Sequence, residues 1–215
     1  MSALYDSPKL VAFVLSEANG WGSRENGVVT QAGTEIKSGT VLAQVDAGAG
    51  TFAMDAGATG NPTAGTITIG AAAIPGVYAV EFTAATKFTV EDPNGKTIGT
   101  GTLGSAFSKA GVGVTLTAGA TPAVAGDTAT ITVAAGTGKY IAYTANAAAG
   151  PAAAILYSGL DAATGDVKAV VMTNNCEVSR NLLTGLDATA EAALKLLGIK
   201  VRGATSLPYV STPAL

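Results

Sequence analysis

No histidine occurs anywhere in this 215-residue chain. That absence excludes the Ser-His-Asp and Cys-His arrangements of nucleophilic catalysis and the usual zinc sites. Cysteine is nearly as scarce. Cys176 stands alone, so an intrachain disulfide is excluded and the composition fits a reducing compartment of synthesis. Charge is sparse at 13%, with 12 basic against 15 acidic residues, and no two basic residues are adjacent. Binding to nucleic acid phosphates needs clustered Lys and Arg, so no nucleic-acid partner is expected. Aromatic residues make up only 6%, which leaves Val, Ile and Leu on β surfaces to build the core. No apolar run approaches the ~18 residues of a membrane span, so no membrane partner is expected. The run from Leu10 to Leu15 is too short for the apolar part of a signal sequence. The expectation is a product made in the cytoplasm.

Three apparent chemical motifs fail on inspection. Gly99-Thr100-Gly101-Thr102-Leu103-Gly104 has the letters of a dinucleotide-binding turn, but that motif needs a helix whose N-terminus receives the pyrophosphate. Only a short stretch follows before Gly111 and Gly113, so the glycines read as turn residues. Asn94-Gly95-Lys96-Thr97 ends like a phosphate loop, yet the position of its first glycine holds Val90. Asn61-Pro62-Thr63 is spoiled as a glycosylation acceptor by its proline. The acidic residues are scattered, and Glu91-Asp92 falls at an apparent hairpin turn, where carboxylates are ordinarily solubilising rather than catalytic. No catalytic residue, cofactor or metal ligand is assigned, and the chain reads as a non-enzyme.

What is abundant is glycine, at 28 residues, within a composition 48% hydrophobic and rich in alanine. Many turns and a neutral Ala/Thr surface follow. Residues 1–9 lack a periodic apolar pattern and read as an arm, able to span roughly 30 Å at ~3.3–3.6 Å per residue. Residues 10–15 form a strand candidate closed by the Asn19-Gly20 turn signal. Trp21 lies between two glycines, placed either as a core plug or as a contact anchor, with Arg24 and Glu25 close behind; Trp and Arg are enriched among interface hot spots. A short strand is expected at 28–30.

The stretch 138–156 organises the rest. It reads as a strand at 139–143, a small-residue loop broken at Gly150-Pro151, and an apolar strand ending at Ile155-Leu156. Its best upstream partner is 39–44. Between them, six short β runs at 66–69, 77–82, 87–91, 96–98, 112–117 and 128–133, with a turn at Asp92-Pro93-Asn94-Gly95, suggest a small antiparallel sandwich or barrel. Downstream come a strand at 167–172, an irregular stretch at 173–186, a helix at 188–197 capped by Asp187 and closed by Gly198, and a strand at 199–201. The expected fold is mainly β with one C-terminal helix. Residues 16–46 and 137–215 form a discontinuous core, 47–136 an inserted β domain, and 1–15 an arm.

Several blocks carry a family resemblance. Phe13-Val14-Leu15-Ser16-Glu17-Ala18-Asn19-Gly20, Ser23-Arg24-Glu25 and Gly39-Thr40-Val41-Leu42 resemble the start of phage head decoration proteins similar to that of bacteriophage lambda. Gly138-Lys139-Tyr140, Ala154-Ile155-Leu156-Tyr157, Cys176-Glu177-Val178 and Leu197-Gly198-Ile199-Lys200-Val201-Arg202 fit as well. The middle of the chain looks like a β insert carried by longer members. The resemblance implies a β-clip or β-tulip-like core and a homotrimeric cement protein on the virion exterior. There it would sit at local threefold positions of the expanded head and bind the major capsid protein. It also implies a capsid-binding arm, here with Leu4, Tyr5, Leu10, Val11, Phe13 and Leu15, and Trp21, Arg24 and Glu25 are the interface candidates beside it. A host-surface ligand for the insert, as an adhesin-like module, and a tail or fibre role are the competing expectations.

Overall fold

The computed structural model describes residues 11–20, 22–145 and 150–203. Within them the chain divides into two compact units. Unit 1 comprises the described residues up to 44, then 139–145, then those from 151 onward; unit 2 comprises 45–138 and Gly150.

In chain order, unit 1 begins with β1 (Val14–Glu17), a tight turn at Ala18–Gly20, β2 (Arg24–Ala32) and β3 (Val41–Gln44). Unit 2 supplies β4 (Ala47–Met54), β5 (Thr63–Ala64), β6 (Thr68–Ile69), β7 (Gly76–Ala84), β8 (Lys87–Glu91), β9 (Thr97–Thr102), β10 (Ala106–Lys109), β11 (Val112–Thr117) and β12 (Thr128–Ala135). Unit 1 resumes with β13 (Tyr140–Ala142), β14 (Ala152–Leu156), β15 (Thr164–Met172), β16 (Cys176–Ser179), helix α1 (Ala188–Leu196) and β17 (Lys200–Arg202). The architecture is mainly β with one helix near the C-terminus, as composition and pattern indicated.

Unit 1 holds a closed barrel in the order β13-β2-β15-β14-β3. Strand β3 is its seam. On one side Ala43 faces Ile141 of β13, and on the other Val41 faces Ile155 of β14. The partnership expected between 39–44 and 138–156 is therefore present, with β3 flanked by both downstream strands. Val29, Leu42, Ala154, Leu156 and Val171 are fully buried inside, each large aliphatic among them contributing ~1.5–3 kcal/mol by leaving water. Strands β2 and β15 pair from Arg24–Met172 to Ala32–Thr164, so both run longer than their apolar centres at 28–30 and 167–172 suggested. Beside the barrel lies a second sheet in the order β1-β16-β17. Strand β16 falls in the stretch expected to be irregular. Its four residues offer only two apolar positions, Cys176 and Val178, and both are buried.

Helix α1 follows its sequence signals. Asp187 Oδ1 accepts a hydrogen bond from the Ala190 amide at 2.7 Å, satisfying one free donor of the first turn. Gly198 takes the left-handed conformation at φ +77°, which closes the helix.

Unit 2 is a two-sheet β structure. One sheet runs β4-β12-β7-β8-β9; the other is built on β11, with β10 and β5 beside it and β6 also paired to it. Alternation sorts the faces: Tyr78, Val80 and Phe82 of β7 and Ala129, Ile131 and Val133 of β12 point inward. The scarce aromatics are concentrated here. Phe88 lies between Phe82 and Phe107, with ring centres 6.1 and 5.9 Å away in tilted geometry, so this core has bulky fillers after all. The Asp92–Gly95 turn forms as expected: Asp92 Oδ1 accepts from the amides of Asn94 and Lys96, and Gly95 is left-handed.

Two readings are corrected. Among the described residues nine strands, not six, occupy unit 2; β4, β5 and β10 are short or made of small residues that give little periodic signal. Gly99 and Gly101 are not turn residues but lie within β9, while Gly104 does turn, at φ +80°.

Candidate functional site

The resemblance blocks, scattered along the sequence, meet in unit 1. Antiparallel pairing of β1 with β16 sets Val14 opposite Val178, Ser16 opposite Glu177 and Glu17 opposite Cys176, with a bulge at Leu15. Parallel pairing of β16 with β17 then sets Glu177 beside Lys200 and Val178 beside Val201. Three blocks thus form one small sheet. Arg202 forms an ion pair with Glu177 across it. That contact holds the Glu177 carboxyl below its ordinary value.

The Asn19-Gly20 signal performs the reversal from β1 to β2. Asn19 at φ 52° and Gly20 at φ 74° are both left-handed, a conformation open to few other residues. The reversal brings Glu17, at the end of β1, against Arg24, at the start of β2. Arg24 Nε donates to Glu17 Oε1 at 2.9 Å and Oε2 at 3.0 Å, and Nη2 donates to Oε2 at 2.7 Å. The guanidinium carbon sits 4.2 Å from the ring centre of Tyr157, a cation–π distance. The Glu17 side chain is 5% exposed and that of Arg24 34%. The hydrogen bonds to Glu17 raise the Arg24 pKa above its ordinary value.

Among the sequence-derived candidates, Arg24 is therefore clamped within its own unit, with Glu17 and Tyr157 as partners that residue-type reasoning did not single out. Both stood in the resemblance blocks, and only their convergence in space marks them. Glu25 is exposed, opposite Val171 on β15. Leu4, Tyr5, Leu10 and Trp21 lie outside the described residues.

The arm assignment needs correction at its C-terminal end. Phe13 is 2% exposed; its ring packs over Gly39, where a Cβ would come within 3.4 Å of Cδ1. Its carbonyl accepts a hydrogen bond from the Ser179 amide. A large apolar ring beside the barrel is stabilised more by burial than by serving a free segment. Val11 accepts from the Val14 amide in the turn before β1 and is half-buried. Leu15 is exposed at 55%, on a strand that pairs along one edge only among the described residues.

Two shallow grooves border the sheet. One, of about 350 Å³, is lined by Ser16, Glu17, Asn175, Cys176, Glu177 and Lys200. The other, of about 450 Å³, lies between α1 and β17 and is lined by Glu191, Lys195 and residues 198–202. Cys176 is buried, and burial, followed by the nearby Glu17 charge, pushes its thiol up to about 11. Among the described residues no group of Cys, Asp and Glu is placed to hold a metal, and no helix is long and apolar enough to cross a membrane.

No curated protein matches this chain. Among solved structures, Xanthomonas campestris FlgL aligns at 24% identity and a TM-score of 0.34, covering 47% of this chain and 34% of that one. The flagellar junction protein FlgL from Legionella pneumophila aligns at 15% identity and 0.34, covering 46% and 37%. The flagellar hook junction protein FlgK from Burkholderia pseudomallei aligns at 24% and 0.33, covering 56% and 21%. This chain thus spans well under half the length of each, and likeness at such scores carries no argument. The family model for bacteriophage lambda head decoration protein D matches residues 104–203, from the turn after β9 through β17. That match covers just under half of this chain and agrees with the resemblance of the blocks to phage head decoration proteins.

Proposed function

We propose that this protein decorates a phage capsid, binding as a homotrimer at local threefold positions of the expanded head and stiffening it against the pressure of packaged DNA. The observation that carries the reading is the family match over 104–203, which includes every strand of unit 1 from β13 onward. The meeting of three resemblance blocks in the β1-β16-β17 sheet supports it, and β1 with the Glu17–Arg24 clamp brings in residues that precede the matched stretch.

In this scheme residues 1–10 lead into the open edge of β1, where Leu15 is exposed, and together they offer strand addition to the major capsid protein. Three weak segments on one trimer bind with avidity, because the first to dock raises the effective concentration of the others. A surface with little charge suits docking by shape rather than by long-range steering. Unit 2 is an insertion between β3 and β13, carried outward from the shell.

The test adds purified protein to expanded heads that lack decoration. Binding should occur, and it should raise the temperature at which heads release DNA. Deleting residues 2–10 should abolish binding while leaving the solution trimer intact. Failure of the full chain to bind heads overturns the proposal. Binding to host cells or polysaccharide without binding to heads would give the protein an attachment role instead.

A further inference from the structure

Strand β4 has features that the decoration reading does not use. It is an edge strand of eight residues, paired to β12 on one side only among the described residues. Edges of that length are normally blunted by lysine, proline or an inward charge, because unpaired backbone groups invite another strand. The sequence Ala47-Gly48-Ala49-Gly50-Thr51-Phe52-Ala53-Met54 contains none of these. Beside it runs an open groove of about 650 Å³ between residues 50–54 and 62–67, whose lining carries no charged side chain. Phe52, Met54, Ala64 and Ile67 line it and are only partly buried against the core.

The strand is also complementary to itself. Gly48, Gly50, Phe52 and Met54 are the half-buried positions, whereas Ala49, Thr51 and Ala53 are exposed. Small residues fill the first half of the inward row and large ones the second. An antiparallel copy centred on Thr51 sets Phe52 opposite Gly50 and Met54 opposite Gly48, so no two large side chains of the strands oppose one another; Ile67 already lies over Gly50, and the partner's Phe52 would pack against it at the groove. On the outward face Thr51 meets Thr51 and Ala53 meets Ala49. The acidic residues flanking the strand stay apart, since Asp55 falls opposite Ala47 and Asp46 opposite Ala56. No like charges oppose one another, which antiparallel pairing requires.

We infer that β4 is a self-association edge: two copies of this chain pair their β4 strands antiparallel about a twofold axis centred on Thr51, joining two five-stranded sheets into one. Such an isologous contact needs no second protein. It is independent of capsid binding and of the trimer, and would link one basal particle to another.

The experiment uses the full chain. Sedimentation velocity across a concentration series should show the basal species doubling in mass, and hydrogen exchange should show the amides of 48–54 gaining protection over the same range. Thr51→Lys and Thr51→Glu should each weaken the doubling on the order of tenfold, because like charges then face each other across the axis. A one-to-one mixture of the two variants should restore it. Wild-type protein whose β4 amides show no concentration-dependent protection overturns the inference, whatever the variants do. So does doubling that neither variant weakens. Protection that appears only when heads are added assigns the edge to a capsid segment and overturns self-pairing, while leaving the decoration reading in place.

Discussion

A Cβ built on Gly101 would stand 2.2 Å from Cζ of Phe88. Gly101 faces Phe88 across the β8–β9 ladder, and the ring occupies the space that any side chain at 101 would need. The glycine that resembled part of a nucleotide fingerprint is a packing residue. Gly101→Ala should destabilise unit 2 by about 1–3 kcal/mol through overpacking, read from urea unfolding followed by signals from that unit. A neutral result would mean that the ring is not held where its neighbours Phe82 and Phe107 place it.

Phe13 belongs to the folded body of unit 1. Phe13→Ala removes a ring that is 2% exposed and should cost about 3–5 kcal/mol. Deleting 2–15 should therefore lower the melting temperature of unit 1, whereas deleting 2–10 should leave it near wild type. Equal melting temperatures for the two deletions would return Phe13 to the arm.

The clamp at Arg24 depends on a planar fork. Lysine keeps the charge but cannot reach both carboxylate oxygens while lying over Tyr157. Arg24→Lys should lose about 1 kcal/mol of stability, a modest figure because the side chain is partly in solvent. Glu17→Gln should cost at least as much, and the double variant should cost less than the sum of the two. Additive losses in that cycle would show that the pair is not coupled.

Asp127 accepts hydrogen bonds from the amides of Val124, Thr59 and Gly60, and these hold its carboxyl below the ordinary range. A depressed folded pKa contributes stability that is fully present above the unfolded value, about 3.9, and is lost as pH falls through the folded value. The melting temperature of wild-type protein should drop on acidification below about pH 4 more steeply than that of Asp127→Asn. Asp127→Asn should also melt lower than wild type at pH 7, with the exposed Asp161→Asn as control. Parallel pH profiles for wild type and Asp127→Asn would refute the link.

Cys176 titrates from the opposite direction. Its raised thiol pKa favours the protonated folded form, so its contribution is intact below the ordinary value of 9.0 and is lost as pH rises toward about 11. At pH 8 a thiol reagent should label native protein at least tenfold more slowly than urea-unfolded protein. Rapid labelling of the native state would show that the sheet over Cys176 opens.

Much of unit 1 was legible from local signals. Asp187 and Gly198 bracket α1 because a free first-turn amide and a left-handed closing residue are local requirements. Asn19-Gly20 marked its turn for a similar reason. Strand β4 was not legible, since it sets Gly48, Gly50, Phe52 and Met54 on one face against Ala49, Thr51 and Ala53 on the other, and hydrophobic periodicity has little contrast there. Strand β16 was hidden because four residues with two small apolar positions do not form a pattern. The arm was drawn through Phe13 because an apolar run beside a proline gives no sign of whether its ring docks at home or elsewhere.

The sequence alone determined the β class, the single helix, the lack of histidine chemistry and the family resemblance, because each depends on residue type or on spacing within a few positions. Only the tertiary structure decided that Glu17, Arg24 and Tyr157 share one cluster, that Gly101 makes room for Phe88, and that β4 has one side unpaired. Those facts depend on which remote segments become neighbours when the chain closes. Register and burial set that outcome, and neither is encoded at any one position.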